Sequence, residues 1–298
     1  MTIKSILRHL LRALGQRCPH LRRYSGRLGL GRWAAPSSTR EQIRVDGDVV
    51  IELDLSVPIF RHIYFHHDLS AAPETVLIRC LLTPADTFVD VGAHIGYFSL
   101  VAAKYAHQVL AFEPSPSTYT YLIRNLQLNP GLASRVISCA VALSDRAGPA
   151  SLFNSLEHPG LASLHPIESA HIIVEAIATD TLDHAASAHH IAFLKIDVEG
   201  GEFSVLNGAR NILSRDQPII LCELFEPHQQ RFDHTCQDIV DFLLPYGYAG
   251  HCVEGDASGH GSVILKPLDL TQLSMTEANN ALFVPSTSAD EILARLSK

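Results

Sequence analysis

Asp90-Val91-Gly92-Ala93-His94-Ile95-Gly96 stands between an apolar strand, Thr87–Val91, and a helical segment, Tyr97–Tyr105, so its glycines fall on a strand-to-helix bend. Gly92 and Gly96 let backbone approach a ligand where a Cβ would collide. The next apolar strand, Val109–Phe112, ends in Glu113-Pro114. An acid at the tip of a second strand can accept two hydrogen bonds from a ribose diol, which predicts an adenosine-containing cofactor. A dinucleotide fold wants G-x-G-x-x-G with its pyrophosphate on a helix N-terminus, and here His94 occupies the second glycine position. The spacing here is instead Gly92-x-x-x-Gly96 with Asp90 two residues ahead, which allows close backbone approach without the pyrophosphate fingerprint. The plainer alternative for Asp90 is a strand-end carboxylate capping local amides.

Outward from that bend, short apolar strands alternate with helical segments: Val109–Phe112 and Thr118–Leu128, Val136–Val141, Ile191–Ile196 and Phe203–Leu213, Ile219–Leu224 and Cys236–Leu244. The alternation predicts an α/β fold with a doubly wound parallel sheet, whose strands end on one ligand-binding edge. Tyr248–Val253 and Ala281–Val284 predict a terminal antiparallel hairpin with insertions, and Ser288 to Glu291 a capping box opening a last helix. Upstream, Ile43 and Val45, the turn Asp46-Gly47, then Val49, Ile51 and Leu53 predict a hairpin. With a further strand through Ile63–Phe65 it would form a small β cap over residues 41–74, ahead of a helix at Glu74–Leu82. The domain is expected to span residues 41–298.

Residues 1–40 differ in kind. Ile3, Ile6, Leu7, Leu10, Leu11 and Leu14 share one helical face and Lys4, Arg8 and Arg12 the other, and residues 25–40 are linker-like in Gly, Ser and Pro. Such a basic amphipathic helix could pack on the body or a second copy, meet an anionic membrane or a protein partner, or act as a targeting presequence. Of the 298 residues, 47% are hydrophobic and 18% charged, enough apolar content for a sizeable core. The net charge is -8, and residues 1–32 hold eight Lys or Arg and no acid, which leaves -16 on the rest. So acidic a body disfavours nucleic-acid binding. No stretch is long enough for a membrane span and no secretory h-region is present, so a cytoplasmic protein is expected. The six cysteines are scattered, with no C-x-x-C pair, and are expected to be reduced.

Three runs then make the chain resemble the FkbM-type methyltransferase family: D-V-G-A-H-I-G-Y-F-S-L from Asp90 to Leu100, A-F-E-P-S from Ala111 to Ser115, and F-L-K-I-D-V-E-G-G-E from Phe193 to Glu202. Weaker matches follow in order at Ala142–Asp145, Asn207–Ala209, Cys222-Glu223 and Leu282–Pro285, so the resemblance covers roughly residues 45–286. It implies a class I (Rossmann-like) methyltransferase fold, S-adenosyl-L-methionine as donor, and usually O-methylation of a hydroxyl on a saccharide or natural product. Members commonly carry Asn where this chain has His94. The resemblance further implies that Asp90, Gly92, Ala93, His94 and Gly96 surround the methionine moiety, that Glu113 binds the ribose, and that Ser144 and Asp145 lie beside the adenine.

Lys195 and Asp197 lie two apart in a strand, on one face. A lysine among Phe193, Leu194 and Ile196 is costly to bury unless paired, and Asp197 is the nearest partner. The pair is either a structural ion pair or catalytic. A neutral hydroxyl is a weak nucleophile, which a base helps by about 10²–10⁴. Asp197, Glu199, Glu223 and His228 are candidates, and Asp197 is favoured because the residue ending the fourth strand of this fold faces the transferring methyl. Glu202 is expected on a solvated helix start. No metal ligands are assigned: His62 and His66 are too far apart in a strand, and Asp197 with Glu223 and His228 could bind a divalent ion but form no compact ligand motif. The cap and a lid at residues 154–170 would build the acceptor pocket. Two competing functions are an NAD-dependent oxidoreductase and an inert scaffold that docks a partner or membrane through residues 1–32.

Overall fold

The computed structural model describes residues 40–66, 72–155, 162–167, 171–255, 263–276 and 278–296. The basic segment of residues 1–32, and most of the linker after it, lie outside them. The chain runs β1 (Arg40–Val45), β2 (Val49–Asp54), α1 (Pro58–His66), α2 (Pro73–Leu81), β3 (Thr87–Val91), α3 (Tyr97–Tyr105), β4 (Gln108–Phe112), α4 (Pro116–Leu128), α5 (Pro130–Ala133) and β5 (Val136–Cys139). Five strands and three short helices follow: β6 (Ala142–Leu143), β7 (Gly148–Ser155), β8 (Ala162–Ser163), β9 (Ile172–Asp180), α6 (Leu182–Ala185), β10 (Phe193–Ile196), α7 (Glu202–Asn207) and α8 (Arg210–Asp216). The last part is β11 (Ile219–Leu224), α9 (Glu226–Gln230), α10 (Cys236–Leu243), β12 (Tyr248–Gly255), β13 (Val263–Pro267), β14 (Asn279–Pro285) and α11 (Ala289–Leu296).

The main sheet has eight strands in the order β13-β12-β14-β11-β10-β3-β4-β5. β3, β4, β5, β10 and β11 are parallel, and β14 runs antiparallel between β11 and β12. This is the class I order, with the last strand inserted beside the fifth. The expected terminal antiparallel pair is therefore present as β12 and β14, and β13 adds an outer strand that sequence reading left as an insertion. Central strands are buried on both faces, which is why β3 and β10 read as unbroken apolar runs around single charges. One core joins α2, α3, α4 and the β1–β2 hairpin to one face, and the other joins α6, α7, α8 and α10 to the opposite face. The chain reverses direction across the sheet between β3 and β10, a switch point where ligands of such sheets bind.

The β1–β2 hairpin forms as expected, turning at Asp46 and Gly47 with φ of +45° and +85°. Its turn is pinned to the body: Arg79 Nη2 donates to Asp46 Oδ1 at 2.6 Å and Lys104 Nζ lies 2.9 Å from Asp46 Oδ2. Burial works to raise the Asp46 pKa, yet hydrogen bonds from Lys104 and Arg79 more than offset it and hold it below the usual carboxylate range. Along its length, Asn129 Oδ1 accepts the Val50 N–H and Asn125 Oδ1 the Glu52 N–H, both at 2.8 Å. Asn125 also donates to the Ile95 carbonyl at 2.9 Å, so the cap, α4 and the glycine loop form one connected unit.

The structure corrects several expectations. Ile63–Phe65 lies in helix α1, not a strand, because Pro58 suits a first helical turn and Phe60 and Tyr64 share a buried face at four-residue spacing. The strand-based reason for separating His62 and His66 thus fails, and their side chains lie outside what the structure describes. The single helix expected over Phe203–Leu213 breaks into α7 and α8 at Gly208, where a Cβ would stand 2.1 Å from the Ser144 carbonyl oxygen. Residues 154–155 and 162–163, expected in a loop, belong to β7 and β8, while 156–161 and 168–170 lie outside the described residues. These strands join a second sheet, β6-β9-β7-β8. Ser288 Oγ donates to the Pro285 carbonyl at 3.4 Å instead of capping α11. The five described cysteines are free, as expected, and no described helix is long and apolar enough to cross a membrane.

Candidate active site

At the carboxyl end of β3 the chain bends so tightly that Gly92, at φ +80°, leaves no room for a side chain: a Cβ would sit 1.9 Å from the Asp197 carbonyl oxygen. Gly96, at φ +83°, begins α3, and a Cβ there would meet Leu122 at 2.4 Å. The Gly92 and Ala93 N–H groups donate to the Phe112 carbonyl at 3.0 and 2.9 Å, tying the loop to the end of β4. Glu113 follows Phe112 and is 5% exposed. Its Oε2 accepts the His94 N–H and its Oε1 the Ser115 N–H, each at 2.9 Å. Burial pushes its pKa up to about 7, against those two hydrogen bonds. His94 itself takes a left-handed φ of +52°, its ring beside Phe60 of the cap, and burial pushes its pKa down to about 4, so the imidazole is neutral at pH 7.

Asp90 is wholly buried; Ser99 Oγ donates to its Oδ2 at 2.6 Å, while Oδ1 has no hydrogen-bond partner. Parallel register sets Lys195 of β10 directly beside Asp90 of β3. Lys195 Nζ lies 3.9 Å from Asp90 Oδ1, donates to Asp197 Oδ2 at 3.0 Å, and sits 4.8 Å from the centre of the Phe98 ring. Burial alone would lower the Lys195 pKa, but the Asp197 and Asp90 carboxylates reverse this and raise it. The two partners are unequal: the Lys195 side chain is 5% exposed and that of Asp197 39%. Lys195 is therefore the buried hub of an Asp90–Lys195–Asp197 row, and Asp197 is its solvent-reachable end.

The loop after β10 carries two further acids. Glu199 has φ +59°, and its carbonyl accepts from Arg231 Nη2 at 3.1 Å and Ser163 Oγ at 3.3 Å. Glu202, expected at a solvated helix start, is instead fully buried, because its Oε1 accepts the Val198 and Gly200 N–H groups and closes this loop from inside. Its pKa is pushed up to about 7 by burial. Glu223, at the end of β11, rises to about 7 through burial and the nearby Asp197 charge. His228 of α9 places Nδ1 3.0 Å from Glu199 Oε2 and 3.9 Å from Glu223 Oε2. Burial would lower the His228 pKa, yet those carboxylates carry it up to about 9.

Asp90, Gly92, Ala93, His94, Gly96, Glu113, Lys195 and Asp197, all expected at the site, thus come together along the carboxyl edge of β3, β4 and β10. Ser144 and Asp145 follow β6. Ser144 is buried and donates to Asp145 Oδ1 at 3.3 Å, and Asp145 is exposed. Neither hydrogen-bonds to the glycine loop or to Glu113 among the described residues. Glu74 of α2 escaped sequence reading: it accepts from Asn280 Nδ2, and burial raises its pKa within range of the Lys195 and Asp197 charges. Nothing local marks such a residue, since only the packing of α2 against the sheet brings it there.

Comparison with known proteins gives the site its family. The chain is 32% identical over 160 residues to the methyltransferase sdnD of Sordaria araneosa, covering 42% of this chain and 61% of that protein. It is 33% identical over 145 residues to the hexuronic acid methyltransferase AglP of Haloferax volcanii, covering 47% of this chain and 58% of the relative. The chain thus spans about 60% of the length of the curated relatives it matches. A crystal structure of a methyltransferase FkbM from Methylobacillus flagellatus KT aligns with 75% of this chain and 54% of its own, at 16% identity and a TM-score of 0.47. The model of the methyltransferase FkbM domain matches residues 90–249, from the glycine-loop aspartate to the start of β12. Since that match takes in more than half of the sequence and the whole of the edge described above, the chain belongs to the FkbM methyltransferase domain family.

Proposed function

We propose that this chain transfers a methyl group from S-adenosyl-L-methionine to a hydroxyl oxygen of a saccharide or natural product. The observation that carries the proposal is Glu113. Its carboxylate is buried at the tip of β4, holds the His94 N–H of the glycine loop, and has no cationic partner among the described residues. Each carboxylate oxygen keeps a lone pair beyond its one backbone hydrogen bond, which suits a ribose diol donating two O–H groups. Gly92, Ala93, His94 and Gly96 would line the methionine end, where the neutral His94 ring adds no charge against the sulfonium. Ser144 and Asp145 would lie beside the adenine. When bound, the cofactor supplies an electrophilic methyl on a positively charged sulfur.

Methyl transfer then asks the protein for alignment and exclusion of water. Asp197 is the base in this proposal: it is the exposed end of the buried row, so it can reach an acceptor hydroxyl and take its proton. Lys195 acts through it, fixing the carboxylate by the 3.0 Å hydrogen bond while its own charge is balanced by Asp90. A saccharide acceptor is supported by the similarity to the hexuronic acid methyltransferase.

Calorimetry with S-adenosyl-L-methionine tests the cofactor part. Glu113→Ala should weaken binding about tenfold or more, the loss of about 1.5 kcal/mol or more of charge-assisted hydrogen bonding. Unchanged affinity would remove the ribose assignment. Asp197→Asn should bind the cofactor normally and lose about 10²–10⁴ in turnover on a panel of saccharide acceptors, and full turnover would make Asp197 structural.

A further inference from the structure

We propose that Glu199, Glu223 and His228 form a binding site for one divalent transition-metal ion beside Asp197, which extends the methyl-transfer reading and borders the same edge. One donor atom from each residue lies within 4.8 Å of the other two. Ligands at about 2.0–2.2 Å from an ion stand roughly 3.0–3.5 Å apart in octahedral or tetrahedral coordination. The separations of 3.0 Å from His228 Nδ1 to Glu199 Oε2 and 3.9 Å to Glu223 Oε2 need only small side-chain rotations to meet that spacing.

The independent observation is the state of the donor atoms. Glu199 Oε2 and His228 Nδ1 are shut off from solvent and face each other, 3.0 Å apart, with no well-aligned hydrogen bond. Their contact with each other is an ion pair, and neither atom has another hydrogen-bonding partner. Buried polar atoms without partners are rare in folded proteins and call for a reason such as an unfilled ion site. Three elements hold the donors in place: Glu199 on the β10–α7 loop, whose carbonyl is gripped by Arg231 and Ser163, Glu223 at the end of β11, and His228 on α9.

Charge favours a cation there: Glu199 and Glu223 sit near Asp197 and Glu202, Lys195 is engaged by Asp197 and Asp90, and the proton that His228 holds against Glu199 would be released to solvent as a metal ion takes its place at Nδ1. Two carboxylates and one imidazole suit Mn²⁺, Co²⁺ or Zn²⁺ better than Mg²⁺ or Ca²⁺, which prefer all-oxygen sets. Three protein ligands leave coordination positions open, as catalytic sites do. An acceptor hydroxyl held in one would lose its proton to Asp197 more readily.

The full chain, stripped with EDTA, is titrated with MnCl₂ while free Mn²⁺ is followed by electron paramagnetic resonance. One ion per chain is expected, with a nitrogen coupling from one imidazole in the spin-echo spectrum. Glu223→Gln and His228→Gln should each weaken binding about tenfold or more, with His228→Gln also removing the nitrogen coupling. Absence of binding, or binding indifferent to both substitutions, overturns the site. The coupling on the unaltered chain decides the matter even if a variant fails to fold, since bound Mn²⁺ without it refutes His228 as a ligand. S-adenosyl-L-methionine is titrated separately into the stripped protein. Cofactor binding without metal binding refutes only the metal site, and metal binding without cofactor binding refutes only the methyl-transfer reading.

Discussion

The two sheets of this protein use β structure in opposite ways. The eight-stranded sheet buries its central strands on both faces and gathers charge at their carboxyl ends, where Asp90, Lys195, Glu113 and Glu202 are all nearly or wholly hidden from water. The four-stranded sheet is built on the long β7–β9 pair and leaves Ile172, Ile173 and Val174 of β9 39%, 43% and 56% exposed. Charge is inside the first sheet and apolar surface outside the second. Burial makes each charge in the first expensive to leave unpaired, so its groups hold one another in fixed positions. The second is held largely by the backbone hydrogen bonds of its long β7–β9 pair, with Leu143 and Leu152 as its buried apolar contacts.

The widest contrast is expected at Lys195. Lys195→Met keeps the packing volume but leaves Asp90 unpaired in the core, and should cost about 3–5 kcal/mol in urea denaturation at pH 7. A loss under about 1 kcal/mol would mean that the edge of the main sheet tolerates unpaired charge after all.

Acid–base behaviour gives the next largest effect. Glu113 titrates near 7 in the folded protein against 4.5 for the free side chain, so the folded state binds more protons between those values. Its contribution is most favourable below about pH 4.5 and is lost as pH rises through about 7, on the order of 3 kcal/mol for so buried a group. Denaturation midpoints collected from pH 4.5 to 8 should show this fall together with those of Glu202 and Glu223, and Glu113→Gln should make it shallower by the Glu113 share. An equal slope in wild type and variant would place the proton uptake elsewhere.

The smallest change belongs to the second sheet. Val174→Thr on the exposed part of β9 keeps β propensity and alters only surface, so stability should stay within about 0.5 kcal/mol. A loss above about 1 kcal/mol would show that this face is covered by another part of the molecule or by a partner, and would erase the contrast between the sheets.

The difference also explains what could be read in advance. Strands β3, β4 and β11 and helices α2 and α3 emerge nearly residue for residue, because central parallel strands and the helices over them are long apolar signals bounded by Gly, Pro and acids. β7 and β9 leave little trace in the sequence. Few of their positions are buried, so the apolar alternation that marks a strand is weak, although the β-branched Ile172-Ile173-Val174 is a usable hint. The sequence of α1 suits a strand as well as a helix because three apolar residues in a row fit either period, and only the buried Phe60–Tyr64 face separates them.

By itself the sequence determined the glycine bend after β3, the acid ending β4, and the Lys195–Asp197 pair, since each is fixed by local spacing along one strand or turn. Their family followed from the same runs. Tertiary structure alone decided that Asp90 shares the Lys195 charge, that Glu202 closes a loop from inside, and that Glu199, not Asp197, meets Glu223 and His228. Those relations join residues on different elements across the sheet, and such neighbours depend on register and on the packing of α7 and α9, which no local pattern encodes.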